Sequence, residues 1–88
     1  MAERDQVQRI KDISEDIVRK VLRDDYIESQ QDMKKTIELL ARSVYDFSVI
    51  HLDPACNKEE TLKGTLSKVK ISHNTVSKIN KQQVLPNT

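Results

Sequence analysis

The sequence predicts an all-α fold: a small helical bundle or long helical hairpin of two to three amphipathic helices, at about residues 3–29, 30–51 and 58–82. Two observations carry this. The 88 residues include one glycine, two prolines and three aromatics, Tyr26, Tyr45 and Phe47, too few turn-forming and strand-forming residues for an all-β chain. Apolar residues also recur at steps of three and four, the period that collects them on one side of an α-helix.

In the first helix Val7, Ile10, Ile13, Ile17 and Val21 form the stripe, widened by Val18 and Leu22, with Arg9, Asp12, Glu15, Asp16, Arg19 and Lys20 elsewhere. Asp24 and Asp25 fall where a helix C-terminus favours cations, so a bend is expected between residues 24 and 32, with Ser29 or Asp32 capping a new start. No proline or glycine enforces that bend, and a continuous helix is the alternative.

The second helix has the cleanest pattern in the chain. Met33, Ile37, Leu40, Val44 and Phe47 follow one another at +4, +3, +4 and +3, the seam spacing of a helix lying along another helix. Pro54 ends it, because the residue before a proline is pushed out of the helical region and proline donates no backbone hydrogen bond.

Asn57 or Asp53 is placed to cap the third helix, with Glu59 and Glu60 favourably set in its first turn. Its stripe reads Leu62, Leu66, Val69, His73, Val76, Asn80. Gly64 and the poor helix formers between Ile71 and Ser77 make this segment dependent on tertiary support. Residues 83–88, containing Pro86, are expected to be a disordered tail of a single domain spanning 1–88. Residues 1–52 hold 22 of the 32 apolar residues, so they are expected to supply most of the core.

Charge favours no partner class for the whole chain, since 15 basic and 14 acidic groups leave a net +1. It is unevenly spread, at −3 for residues 1–57 and +4 for residues 58–88. The start Met1-Ala2-Glu3-Arg4-Asp5 lacks a secretory apolar stretch, no apolar run approaches 18 residues, and Cys56 is the lone cysteine. An intracellular protein, cytoplasmic or nuclear, is expected.

Catalytic chemistry finds little support. Gly64 alone makes no phosphate-binding loop. Asp12, Glu15, Asp16, Asp24 and Asp25 lie among basic neighbours, as on a solvated helix surface. Cys56 with His51 or His73 lacks an orienting group or oxyanion donor. The spacing of His51, Asp53, Cys56 and Glu59 falls short of the several Cys and His of a structural zinc site. The expectation is no catalytic residue, no metal, no cofactor and no small-molecule substrate. The mixed charge on the polar faces also argues against a membrane-surface helix.

One string has a second reading. Ile71-Ser72-His73-Asn74-Thr75-Val76-Ser77-Lys78-Ile79-Asn80 resembles the turn and recognition helix of helix-turn-helix DNA-binding proteins over about ten residues. It departs from that pattern at Lys70, where the family usually has Gly, and at Leu66, where it has a small residue. The resemblance implies that Ser72 caps a recognition helix, that His73, Asn74, Thr75 and Lys78 face the major groove, and that Lys68, Lys70 and Lys81 reach phosphates.

The preferred expectation is a non-enzymatic helical interaction module, self-associating or an adaptor subunit of a multi-chain helical assembly. Its partner-helix interface is expected at Met33, Ile37, Leu40, Val44, Phe47, Leu62, Leu66 and Val69. A small DNA-binding regulator using residues 60–82 is the alternative.

Overall fold

Three helices account for most of the computed structural model, which describes the backbone of residues 3–84 and the side chains of residues 3–77. They are α1 (Glu3–Val21), α2 (Gln30–Leu52) and α3 (Lys58–Val84), and there is no strand among the described residues. This is the small helical bundle that the periodicity predicts.

The first helix stops earlier than expected, at Val21 rather than near residue 29. Arg19 and Lys20 in its last turn complement the helix dipole, whereas Asp24 and Asp25 one turn later oppose it. The chain instead folds back on itself: Tyr26 N–H donates to the Arg23 carbonyl at 3.1 Å, and the Arg23 guanidinium grips both Asp25 oxygens at 2.9 and 3.0 Å. Ser29 then caps α2, its Oγ accepting from the Asp32 N–H at 3.1 Å.

At the other end of α2, Asp53 is extended and its Oδ1 accepts from the Ala55 N–H at 2.9 Å, turning the chain at Pro54. Asn57 caps α3, with its Oδ1 accepting from the Glu60 N–H at 3.1 Å. The third helix runs unbroken to Val84, so residues 83 and 84 of the expected tail are helical, and residues 85–88 lie outside the described residues.

α3 is the central rod. It packs against both α1 and α2, which do not pack backbone to backbone on each other. Gln6 and Arg9 of α1 lie beside Glu59, Lys63 and Leu66 of α3, and Asp16 reaches His73, so α1 and α3 run parallel. Asp46 of α2 meets Thr65 and Lys68 across the short 53–57 turn, and α2 therefore returns antiparallel to α3.

The core consists of Ile10, Ile17, Leu62, Leu66, Val69 and Val76, with Ile13, Tyr26, Leu40 and Ile50 packed against it. Burying each large aliphatic contributes about 1.5–3 kcal/mol. The expectation from apolar content is overturned here: four of the six buried apolar residues come from α3, two from α1 and none from α2. A central helix is covered from two sides, so Leu62, Leu66, Val69 and Val76 are hidden although Ile71 stays exposed, while α1 and α2 each have one neighbour and show many of their apolar residues to solvent.

Candidate partner-helix interface

The fully buried residues on the side of α2 that faces α3 are small and polar, with half-buried Leu39 and Ile50 beside them. Thr36 and Ser43 are buried, and so are Thr65 and Ser72 of α3. Short side chains let two helices approach, and their hydroxyls find acceptors. Ser43 Oγ donates to the Leu39 carbonyl at 2.9 Å, Ser72 Oγ to the Lys68 carbonyl at 3.1 Å, and Thr36 Oγ1 to Glu28 Oε2 at 3.1 Å. Satisfied in this way, they escape most of the cost of losing water.

One ion pair locks this contact. Lys68 Nζ lies 2.7 Å from Asp46 Oδ2, and Thr65 Oγ1 stands 2.9 Å from the same oxygen. The Asp46 side chain is only 14% exposed. Across the α1–α3 contact Asp16 plays a similar part: its Oδ2 accepts from Lys20 Nζ at 2.7 Å and lies 2.6 Å from His73 Nε2. An ionised carboxylate only accepts, so that imidazole nitrogen carries the hydrogen. Hydrogen bonds from Lys20 and then His73 hold the Asp16 carboxyl down at about 2.

The regular apolar seam of α2 points elsewhere. At roughly 100° per residue, the stripe from Met33 to Phe47 is centred about a quarter-turn away from the line of Thr36, Ser43 and Asp46 that meets α3. Ile37 and Val44 are 62% and 67% exposed, Met33 and Phe47 are also exposed, and only Leu40 is half-buried against the core. The expected interface thus divides. Leu62, Leu66 and Val69 are spent inside the chain, at 1–7% exposure, while Met33, Ile37, Val44 and Phe47 remain open.

Part of this face lines a trough between the C-terminal end of α1 and the first half of α2. It is a cleft of about 250 Å³ lined by Ile17, Val21, Tyr26, Met33, Ile37 and Leu40, with Thr36 and Glu28 at its edge. Val18, Leu22 and Ile27, sequence neighbours of the lining residues Ile17, Val21 and Tyr26, are exposed as well. Toward the other end of α2, Val44, Phe47, Ser48, His51 and Leu52 line a shallow hollow. The cleft between the helices and the hollow on α2 are separate, and both are predominantly apolar.

Glu28 is the one carboxylate in the cleft. Burial pushes its carboxyl upward, partly offset by the Thr36 hydrogen bond, and no basic group pairs with it among the described residues. Sequence reasoning missed Glu28, since nothing local distinguishes it from other surface acids. It also missed Asp46 with Lys68, and Asp16 with His73, because partners 22 and 57 residues apart leave no periodic trace.

The set implied by the helix-turn-helix resemblance is not assembled. α3 passes straight through Lys70, Ile71 and Ser72, so there is no turn. Without glycine at position 70 nothing favours one, and Val69, Ser72 and Val76 continue the buried row. Ser72 is buried instead of capping, His73 is held by Asp16, Thr75 is half-buried, and Asn74 is exposed. The side chains of Lys78 and Lys81 lie outside the described residues.

Among the described residues no three His, Cys, Asp or Glu side chains converge as metal ligands, and His51, Asp53, Cys56 and Glu59 do not come together. Among them too, no helix is long and apolar enough to cross a membrane. At the end of the molecule away from the cleft, a polar hollow lies between Gln6, Arg9, Glu59, Glu60, Lys63 and Lys70. There Gln6 Oε1 is buried without a partner.

Fold and surface together define a three-helix protein whose central helix is covered and whose two outer helices present an open apolar face. The chain matches no protein-family model, no curated protein and no solved structure.

Proposed function

We propose that this chain is a non-enzymatic helical protein–protein interaction module, docking a partner helix along the seam of α2. The observation that carries the reading is the exposure of Met33, Ile37, Val44 and Phe47. The most regular helix-packing seam in the sequence is the one its own fold leaves uncovered. Apolar faces of this length on small proteins mark association surfaces, and a helix laid along α2 contacts the seam throughout and α1 where the cleft opens between them.

The role that follows is that of a self-associating or adaptor subunit in a multi-chain helical assembly. The seam spans about 15 residues, close to 22 Å of helix at 1.5 Å per residue, which accommodates about four turns of a partner. Amide and side-chain protection tests this. Met33, Ile37, Val44 and Phe47 are expected to be shielded in native extract, as read by cysteine labelling at Ile37→Cys or Val44→Cys in a Cys56→Ser background. Full labelling in extract as well as in dilute purified protein overturns the proposal.

Val44→Asp separates association from folding. Its position is exposed, so the fold is expected to survive by circular dichroism, while co-assembly is lost because a charge is pressed into an apolar contact. Loss of helix content on that substitution, or retained assembly, counts against the seam as the docking surface.

A further inference from the structure

The seam has a near-symmetric layout. Met33 and Phe47 lie seven positions either side of Leu40, and Ile37 and Val44 lie three and four positions either side. The polar groups at its ends differ in kind. Glu28, twelve positions before Leu40, is an acceptor without a cation. His51, eleven positions after it, lines the hollow at the opposite end with Phe47 and Leu52. An imidazole offers an N–H donor in either protonation state. The apolar stripe and its polar ends thus share one midpoint, within a residue of Leu40.

We propose that the occupant of the seam is α2 of a second copy of this chain, laid antiparallel about a two-fold axis passing near Leu40. This rests on the docking reading above and names its partner. In that arrangement Met33 meets Phe47 of the second copy, Ile37 meets its Val44, and Glu28 accepts a hydrogen bond from its His51. Leu52, exposed at one end, comes to lie beside the exposed Ile27 at the other. The contact is isologous, so each pairing occurs twice and the interface closes on itself.

Charge selects this direction over the parallel one. Two parallel copies of α2 set Glu28 against Glu28 in apolar surroundings, where like charges repel and neither has a counter-ion. Along the seam of α2 the flanking polar residues are Gln30, Ser48 and His51, with Lys35 and Arg42 turned away from it and Lys34 at its edge on the same line as Leu52, as about 100° per residue requires. In the antiparallel register Lys34 lies level with Asp46 of the second copy and away from its Glu28. His51 is then the basic group that this helix has to offer Glu28. The area is also adequate. A standard interface hides about 800 Å² per partner, and covering Val18, Val21, Met33, Ile37, Val44 and Phe47 with Leu22, Ile27 and Leu52 at the ends is of that order.

Disulfide trapping reads the direction. In full-length chains carrying Cys56→Ser, Ile37→Cys and Val44→Cys place thiols at exposed positions that the fold tolerates. A mixture of the two variants is expected to form a cross-linked heterodimer on mild oxidation. Each variant alone stays at the collisional level of a Ser67→Cys control, because a two-fold near Leu40 separates identical positions by about 10 Å along the axis, beyond disulfide reach. Sedimentation equilibrium gives the second readout. Glu28→Lys and His51→Glu are each expected to weaken the dimer about tenfold, and the double variant restores it.

Cross-linking of Ile37→Cys or Val44→Cys with itself in place of the mixed product overturns the proposal in favour of parallel pairing. A chain that is monomeric at hundreds of micromolar overturns it too. The extract labelling then tells the two readings apart. Protection there with a monomeric pure chain leaves the docking module standing with a different occupant, and exposure in both removes the module itself.

Discussion

The two sides of α2 contrast in a way opposite to ordinary expectation. The side against α3 carries the buried Thr36 and Ser43 and the paired Asp46 beside half-buried Leu39 and Ile50, whereas the side bearing Met33, Ile37, Val44 and Phe47 is apolar and exposed. Which side is hidden within one chain depends on whether a close neighbour can be satisfied there. Small hydroxyl side chains that bond to carbonyl oxygens and a carboxylate paired with Lys68 meet that requirement. A run of larger aliphatic groups spaced for knobs-into-holes packing is free to serve a rod supplied from elsewhere.

The largest effect that tests this contrast is in the core. Leu62→Ala is expected to cost about 2–5 kcal/mol, enough to threaten a domain of this size. Ile37→Ala, measured by urea unfolding at a dilution where the chain is monomeric, is expected to stay within about 0.5 kcal/mol. Comparable losses from both substitutions erase the distinction between the two surfaces. Asp46→Ala comes next. It strands the Lys68 ammonium at the α2–α3 contact and is expected to lower stability by about 1–2 kcal/mol, read as a shift of the unfolding midpoint.

The smallest effect is electrostatic. The Asp16 carboxyl is held at about 2, below its ordinary 3.8, by Lys20 and His73. A depressed folded-state value means that its contribution is complete at pH above about 4 and is lost as pH falls toward 2. Glu28 works in the opposite sense. Its raised carboxyl makes the ionised form unfavourable in the fold, so stability falls as pH rises through its titration. Asp16→Asn is expected to flatten the acid limb of a stability–pH profile, and an unchanged limb removes the α1–α3 pair from the account.

Much of the architecture was legible in the residues. The helix class, the caps at Ser29 and Asn57, the stop at Pro54 and the buried row Leu62, Leu66, Val69, Val76 follow from local rules of period and capping. The bend after α1 was legible in Asp24 and Asp25, but its start at Val21 was not, because no proline or glycine fixes the position. Nor was the division of the interface set. Periodicity reveals which face of a helix is apolar and leaves open which neighbour covers it. Asp46, which directs α2 onto α3 with its polar side, finds Lys68 only after the chain has turned back.

The central position of α3 also carries a consequence for how the chain acquires its shape. α1 and α2 make no close backbone approach to each other, and the rod that joins them follows both in the chain. Until residues 58–77 leave the ribosome the first two helices lack the helix on which both of them pack, so their assembly awaits it. During that interval the seam of α2 is as open to neighbouring nascent chains as it is in the finished molecule.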